Sequence, residues 1–295
     1  MSPALTIVIP TKDRPRDLEK LLASITGLEG IAALRPEIIV SDNNSQGNAC
    51  MCGTAFVRSF PYALHTIEVR RGGKSAAINE ALRIAHGEVL AFLDDDVIVD
   101  RAWLVEIDRF LRKDKYKVAQ GRILLQPPEG SDPEVNQLLQ RYRTIPYLNY
   151  GTDIDEVHSL NGANFVIRRE LLDRLGGFDE KLGPGASGTS EDVELSQRVR
   201  KAGYSIGYMR DATVYHKVDR TRLTEEYFKA THRRQGHSRL LLKPRSTAHI
   251  LSSLGRVSLQ HLFYLMARHE RKSYRSKGRI QHYLGMLEAK RKNKS

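Results

Sequence analysis

Three consecutive carboxylates, Asp94, Asp95 and Asp96, are the most chemically suggestive residues in this 295-residue chain, and they follow the apolar run in GEVLAFLDDDVIVD. In an extended segment side chains two apart point the same way, so Asp94 and Asp96 are expected to converge while Asp95 turns to the other side. Carboxylates that close repel one another, and a site that keeps them ionised supplies a metal or an Arg or Lys. All-oxygen coordination selects a hard ion, Mg2+ or Mn2+. An exposed acidic turn is the alternative for any isolated DxD. Position favours a ligand site: Val89 to Leu93 reads as a strand buried on both faces, and open α/β sheets bind ligands at the carboxyl ends of such strands.

A second acidic pair, Glu191 and Asp192, opens the helical stretch EDVELSQRVRKAG directly after the Gly-rich GPGASGTS. Those glycines would let the loop close over a ligand. Carboxylates at a helix N-terminus are also stabilised by the helix dipole, by about 0.3 to 1 kcal/mol, so a capping turn and a functional pair both stay open.

The elements that must position these residues alternate regularly. ALTIVIP (4–10), EIIVS (37–41), 64–69 and 89–93 read as strands. Between them lie helical patterns with Leu18, Leu21, Leu22 and Ile25, and with Ile78, Ala81, Leu82 and Ala85. Asp13 before Pro15 and Ser75 are the expected caps, and Gly87 the expected stop. Such alternation predicts right-handed βαβ units and a parallel sheet over the first hundred residues. GGKS is no P-loop, since Glu68 stands where that motif needs its first glycine. A helix over 103–112, a strand over 117–126 and the Pro-rich QPPEGSDP follow, and the pattern then becomes mixed α and β.

Composition bounds the rest. No apolar run approaches the roughly 18 residues of a membrane span, and MSPALTIVIPTKDRP shows no signal-peptide pattern, so a cytoplasmic protein is expected. Cys50 and Cys52 lack the partners of a zinc site or a disulfide framework and are expected to be plain helix positions. The formal net charge of +12 is unevenly placed: residues 1–219 hold 28 Lys and Arg against 31 acids, and residues 220–295 hold 19 against 4. Two parts are therefore expected, a body over 1–219 (halves 1–100 and 101–219) and a basic helical extension over 220–295. In the extension, Leu251, Leu254, Leu262, Leu265 and Met266 alternate with Arg, His and Lys. That pattern suits an amphipathic helix on an anionic membrane surface, or equally a helical appendage packed on the body. No nucleic-acid-binding module accompanies the charge, and nucleic acid is not expected as a partner.

Taken in order, TIVIPTKDR, IIVSDNNS, GGKSAAINEAL, FLDDDV, NGANFVIRRELLDRLGGFDEKLGPG, SEDVELSQRVRKAG and ATVYH resemble family 2 glycosyltransferases of the GT-A fold over about residues 4–217. The resemblance implies an α/β fold with a mostly parallel central sheet flanked by helices. It implies inverting transfer of a sugar from a nucleotide diphosphate sugar, with UDP- or GDP-sugars expected, to a saccharide or lipid-linked acceptor, as in cell-envelope polysaccharide or glycolipid synthesis. A divalent cation, Mn2+ or Mg2+, would bridge the diphosphate, held by Asp96 and His216. The donor would meet Pro10, Thr11, Arg14, Asp42, Asn43, Arg71, Lys74, Asp94 and Asp95. Asp192 would be the general base, supported by Glu191. Asn43 stands where many relatives carry a second acid, which leaves open whether Asp42 or Asn43 meets the base. Two other readings compete: a nucleotidyltransferase, which would give the Glu191–Asp192 pair no task, and a non-enzymatic nucleic-acid binder driven by the basic extension.

Overall fold

The computed structural model describes residues 4–43, 60–126 and 132–292. In chain order the elements are β1 (Leu5–Thr11), α1 (Pro15–Thr26), α2 (Ile31–Leu34), β2 (Glu37–Asp42), β3 (Leu64–Glu68), α3 (Lys74–Ile84), β4 (Val89–Leu93), β5 (Val97–Val99) and α4 (Trp103–Arg112). Then come β6 (Val118–Leu125), α5 (Pro133–Tyr142), β7 (Glu156–Val157), β8 (Asn164–Arg168), α6 (Arg169–Leu175), α7 (Glu191–Lys201), β9 (Ile206–His216), α8 (Glu225–Leu242), α9 (Thr247–Met266) and α10 (Glu270–Lys292). They form two compact units, one of Met1–Gln126, Pro146–Lys181 and Glu191–Lys217, the other of Pro127–Ile145, Leu182–Ser190 and Val218–Ser295. The helical unit thus draws α5 and 182–190 from the part expected to be body.

The first unit is built on one sheet with strand order β3-β2-β1-β4-β8-β6-β9-β5, β7 pairing β9. Strands β1 to β4 are mutually parallel, β8 enters antiparallel between β4 and β6, and β5 and β7 run antiparallel to β9. Six of the nine strands share one direction, as the mostly parallel expectation requires. The expected halves 1–100 and 101–219 share this sheet, since β4 pairs β8 and β5 pairs β9.

Strands β1, β2 and β4 have no exposed residue because helices cover both faces. Alternate residues go to opposite sides. Ile7, Ile9, Ile38, Val40, Ala91 and Leu93 pack with Leu18, Leu22 and Ile25 of α1 and Trp103 and Ile107 of α4. Val8, Ile39, Leu90 and Phe92 pack on the other face with Ile78 of α3, Leu171 of α6 and Leu195 of α7. There Phe92 stacks on Phe165 at 4.5 Å. The leucines of α1 are buried as their spacing predicts.

The caps differ from expectation. Arg14, not Asp13, is the residue before α1, and Asp13 takes a left-handed φ of 55°. Gly73 precedes α3, placing Ser75 inside its buried first turn, and α3 ends at Ile84, before Gly87. Cys50, Cys52 and the SQG of the β2 turn lie outside the described residues.

The second unit joins α5, α8, α9 and α10. Asp132 caps α5 by accepting from the Glu134 and Val135 amides. Tyr274 meets Tyr142 and Phe228 edge to face, and Leu240, Ile250 and Met286 form a small core. Helices α8 and α10 touch backbone to backbone: a Cβ on Gly236 would overlap the His282 carbonyl, and one on Gly285 the Arg233 carbonyl.

Candidate functional site

The three acids do not continue β4; they form the turn between β4 and β5. Strand alternation does not govern them, yet Asp94 and Asp96 do come together. One carboxylate oxygen from each and a ring nitrogen of His216 lie within 4.8 Å of one another. His216 arrives from the far end of the sequence because β9 runs antiparallel to β5, pairing His216 with Val97 beside Asp96. The imidazole is 1% exposed; its Nε2 lies 3.3 Å from Asp96 Oδ1 and its Nδ1 3.0 Å from the Lys217 carbonyl. A proton on Nδ1 donates to that carbonyl, which leaves the Nε2 lone pair facing the acids. Two carboxylates and an imidazole are a fitting donor set for a divalent cation such as Mn2+.

The Asp95 carboxylate accepts from Thr11 Oγ1 at 2.8 Å and from Arg14 at 2.9 Å. Burial pushes its carboxyl up to about 6, with Arg14 opposing and Asp96 adding to the rise. The same Arg14 nitrogen donates to Asp96 Oδ2 at 3.0 Å. Asp95, Thr11 and Arg14 therefore brace the turn, a role the sequence did not suggest for them.

Lys74 opens α3 and pairs with Asp94, and its ammonium also lies 3.5 Å from Glu191. Burial would lower its pKa, but Asp94 and Glu191 outweigh it, so the pKa is raised and the charge kept. One cation thus links the two acidic motifs. Asp192, in the first turn of α7, accepts the Gly162 amide at 3.0 Å on Oδ2 and its own neighbour's amide, that of Val193, at 2.7 Å on Oδ1. Burial and Glu191 push its carboxyl up to about 7, against the pull of Lys74.

Gly162 is held by residues that the sequence reading passed over. Gln120 accepts the Asn161 amide at 2.6 Å and donates to the Asn164 carbonyl at 2.7 Å. Asn164 accepts from the Trp103 indole at 3.0 Å and donates to the Arg122 and Ala212 carbonyls, both at 2.9 Å. This stitches the register shift between β6 and β9 at Gly121/Arg122. A Cβ on Gly121 would overlap the Asn164 carboxamide. The signal was the run NGAN itself, rich in groups that hydrogen-bond backbone.

At the other end of the edge, Pro10 and Thr11 pair with Ser41 and Asp42. The Asn43 carboxamide is engaged on both ends, donating to the Val69 and Arg71 carbonyls at 3.0 and 2.7 Å and accepting the Gly73 amide at 2.9 Å. Asp42 is 5% exposed. The Arg71 side chain, half-exposed, reaches Glu80 at 2.7 Å and Glu180 at 3.1 Å.

Comparison with known proteins bears on family and fold. The chain is 23% identical over 214 residues to glycosyltransferase AglE of Haloferax volcanii, covering 72% of this chain and 67% of that protein. It is 29% identical over 222 residues to the pre-mycofactocin glycosyltransferase of Mycobacterium tuberculosis, covering 72% of this chain but only 42% of that protein. The matched region is thus less than half of the mycobacterial relative. A mannosyltransferase from Pyrobaculum calidifontis, PcManGT, solved with GDP-Man and Mn2+, superposes with a TM-score of 0.66 over 98% of this chain and 87% of that one at 18% identity, which shows a shared GT-A fold. The profile described as glycosyltransferase like family 2 matches residues 3–237, and the chain belongs to that family.

Proposed function

We propose that the chain is an inverting, divalent-cation-dependent glycosyltransferase that moves a sugar from a nucleoside diphosphate sugar, with UDP- or GDP-sugars the first donors to try, to a hydroxyl of a saccharide or lipid-linked acceptor. The observation that carries it is the bridge made by Lys74 between the Asp94/Asp96/His216 cluster and the Glu191–Asp192 pair. The reaction needs both groups: one neutralises the departing diphosphate, the other takes the acceptor's proton.

Asp96 and His216, with Asp94, would hold the cation, which supplies positive charge to the diphosphate oxygens as the leaving group departs. Asp94 with Lys74 faces the donor beside them. Asn43, its carboxamide engaged by three backbone groups, keeps 69–73 in place, and Asp42 or Asn43 would meet the base. The acceptor oxygen attacks the anomeric carbon opposite the leaving group, its proton passes to Asp192, and the bond to the phosphate oxygen breaks. The Gly162 and Val193 amides aim that carboxylate, and a carboxyl at about 7 suits proton removal near neutrality. The strongly basic residues after 219 support work at an anionic membrane surface on the cytoplasmic side, where lipid-linked acceptors are met.

Calorimetry with UDP and GDP tests the donor site. Binding is expected to require Mn2+ or Mg2+ and to be lost in Asp96→Ala; equal affinity in a chelator would remove the cation from the proposal.

A further inference from the structure

Helix α9 is apolar on two opposite sides. Ile250, Ser253 and Val257 are buried within the helical unit. At about 100° per residue, Leu251, Leu259, Leu262 and Met266 fall on the far side, flanked by Phe263 and Leu265, and all six are 52% to 78% exposed. These six are most of the large hydrophobic side chains exposed among the described residues. Packing inside the unit accounts for the first side and leaves the second to an outside partner.

Charge identifies the partner. From Lys243 to Arg279 the chain carries nine Lys and Arg and a single acid, Glu270. Arg256, on the edge of the apolar side, and Arg268, Arg271 and Lys272, just beyond its end, are exposed. A second copy docking on this face would bring cations against cations, and a nucleic acid would leave the leucines in water. An anionic bilayer takes both, acyl chains against the apolar side and headgroup phosphates against the basic rim. The helix lies along the surface, since no helix among the described residues is long and apolar enough to cross a membrane.

We propose that the Leu251/Leu259/Leu262/Phe263/Met266 face of α9 is the surface by which this chain seats on an anionic lipid interface. This deepens the membrane placement proposed above and owes nothing to the donor or cation site. The test is flotation of the full chain, at low salt, with vesicles of phosphatidylcholine alone or mixed with phosphatidylglycerol. The wild type is expected to float with the mixed vesicles. Leu259→Ser/Phe263→Ser/Met266→Ser, whose targets are exposed and whose melting curve should match wild type, is expected to lose roughly tenfold or more in partitioning, in keeping with apolar area as the binding element. Arg268→Gln/Arg271→Gln/Lys272→Gln, outside any packed core, is expected to lose the preference for phosphatidylglycerol. If the wild type floats and the serine variant floats equally, the face assignment is wrong while the membrane placement stands. If the wild type ignores acidic vesicles, both fall. If light scattering shows a dimer that the serine variant abolishes, the face serves a second copy and the proposal is overturned.

Discussion

Asp192 carries the sharpest prediction at the scale of single residues. A carboxylate that removes the acceptor's proton contributes about 10² to 10⁴ in rate, so Asp192→Asn should lower turnover by about that factor and spare donor affinity, which rests on other residues. The pH profile supplies a second reading. With its carboxyl at about 7, Asp192 is protonated below that pH, so kcat/KM should fall on the acid side with a midpoint near neutrality, and the residual activity of the Asn variant should lack that limb. Near-wild-type turnover would reduce Asp192 to a residue that begins α7. The pair was legible in the sequence as two acids after a Gly-rich loop, with a capping turn and a functional role both open. Its tuning was not, because Gly162 and Lys74 reach Asp192 from segments far away in the chain.

The elements themselves were legible where apolar periodicity is strong. Strand β4 and helix α1 fall where the continuous apolar run and the Leu18–Leu22 spacing put them, because burial on a packed sheet dominates every local preference there. The DDD turn misled in one respect: it is not extended, so Asp95 braces Thr11 and Arg14 rather than simply pointing away. The β6–β9 register shift had no signature, since a buried Gln and Asn show their worth only when strands distant in sequence meet. Gly121→Ala tests that stitch. The added methyl must displace the Asn164 carboxamide, breaking hydrogen bonds inside the core, at about 1 to 3 kcal/mol for each buried polar group left unsatisfied. Denaturant unfolding should show the loss, and the variant should also bind acceptor poorly, because Gln120 and Asn164 seat the loop behind Asp192. Unchanged stability would mean that the sheet relaxes without strain.

On the scale of the whole molecule, charge is partitioned: the first 219 residues nearly balance, and the remainder is strongly cationic. Within the first unit Arg14 pairs with Asp95 and Asp96, and Lys74 with Asp94 and Glu191, so the site carries counter-charge of its own. Chelation should therefore leave the melting temperature within about 2 °C of its starting value, less than 1 kcal/mol shifts a unit of about 150 to 250 residues. Differential scanning calorimetry in EDTA checks it; a fall several times larger would mean that the fold depends on a bound ion.

The internal counter-charge from Arg14 and Lys74 also bears on supply. A protein that must collect its metal in order to fold is committed early to whichever ion it first meets, and starvation for that ion destroys it. Here Arg14 and Lys74 pair with those acids from within the chain, so folding without the ion is the expected outcome. Under the proposed function the working metal would then be chosen late, at each encounter with donor, by what the surrounding fluid holds. On that reading, a cell short of usable divalent ions would keep the protein intact and lose its turnover until they return.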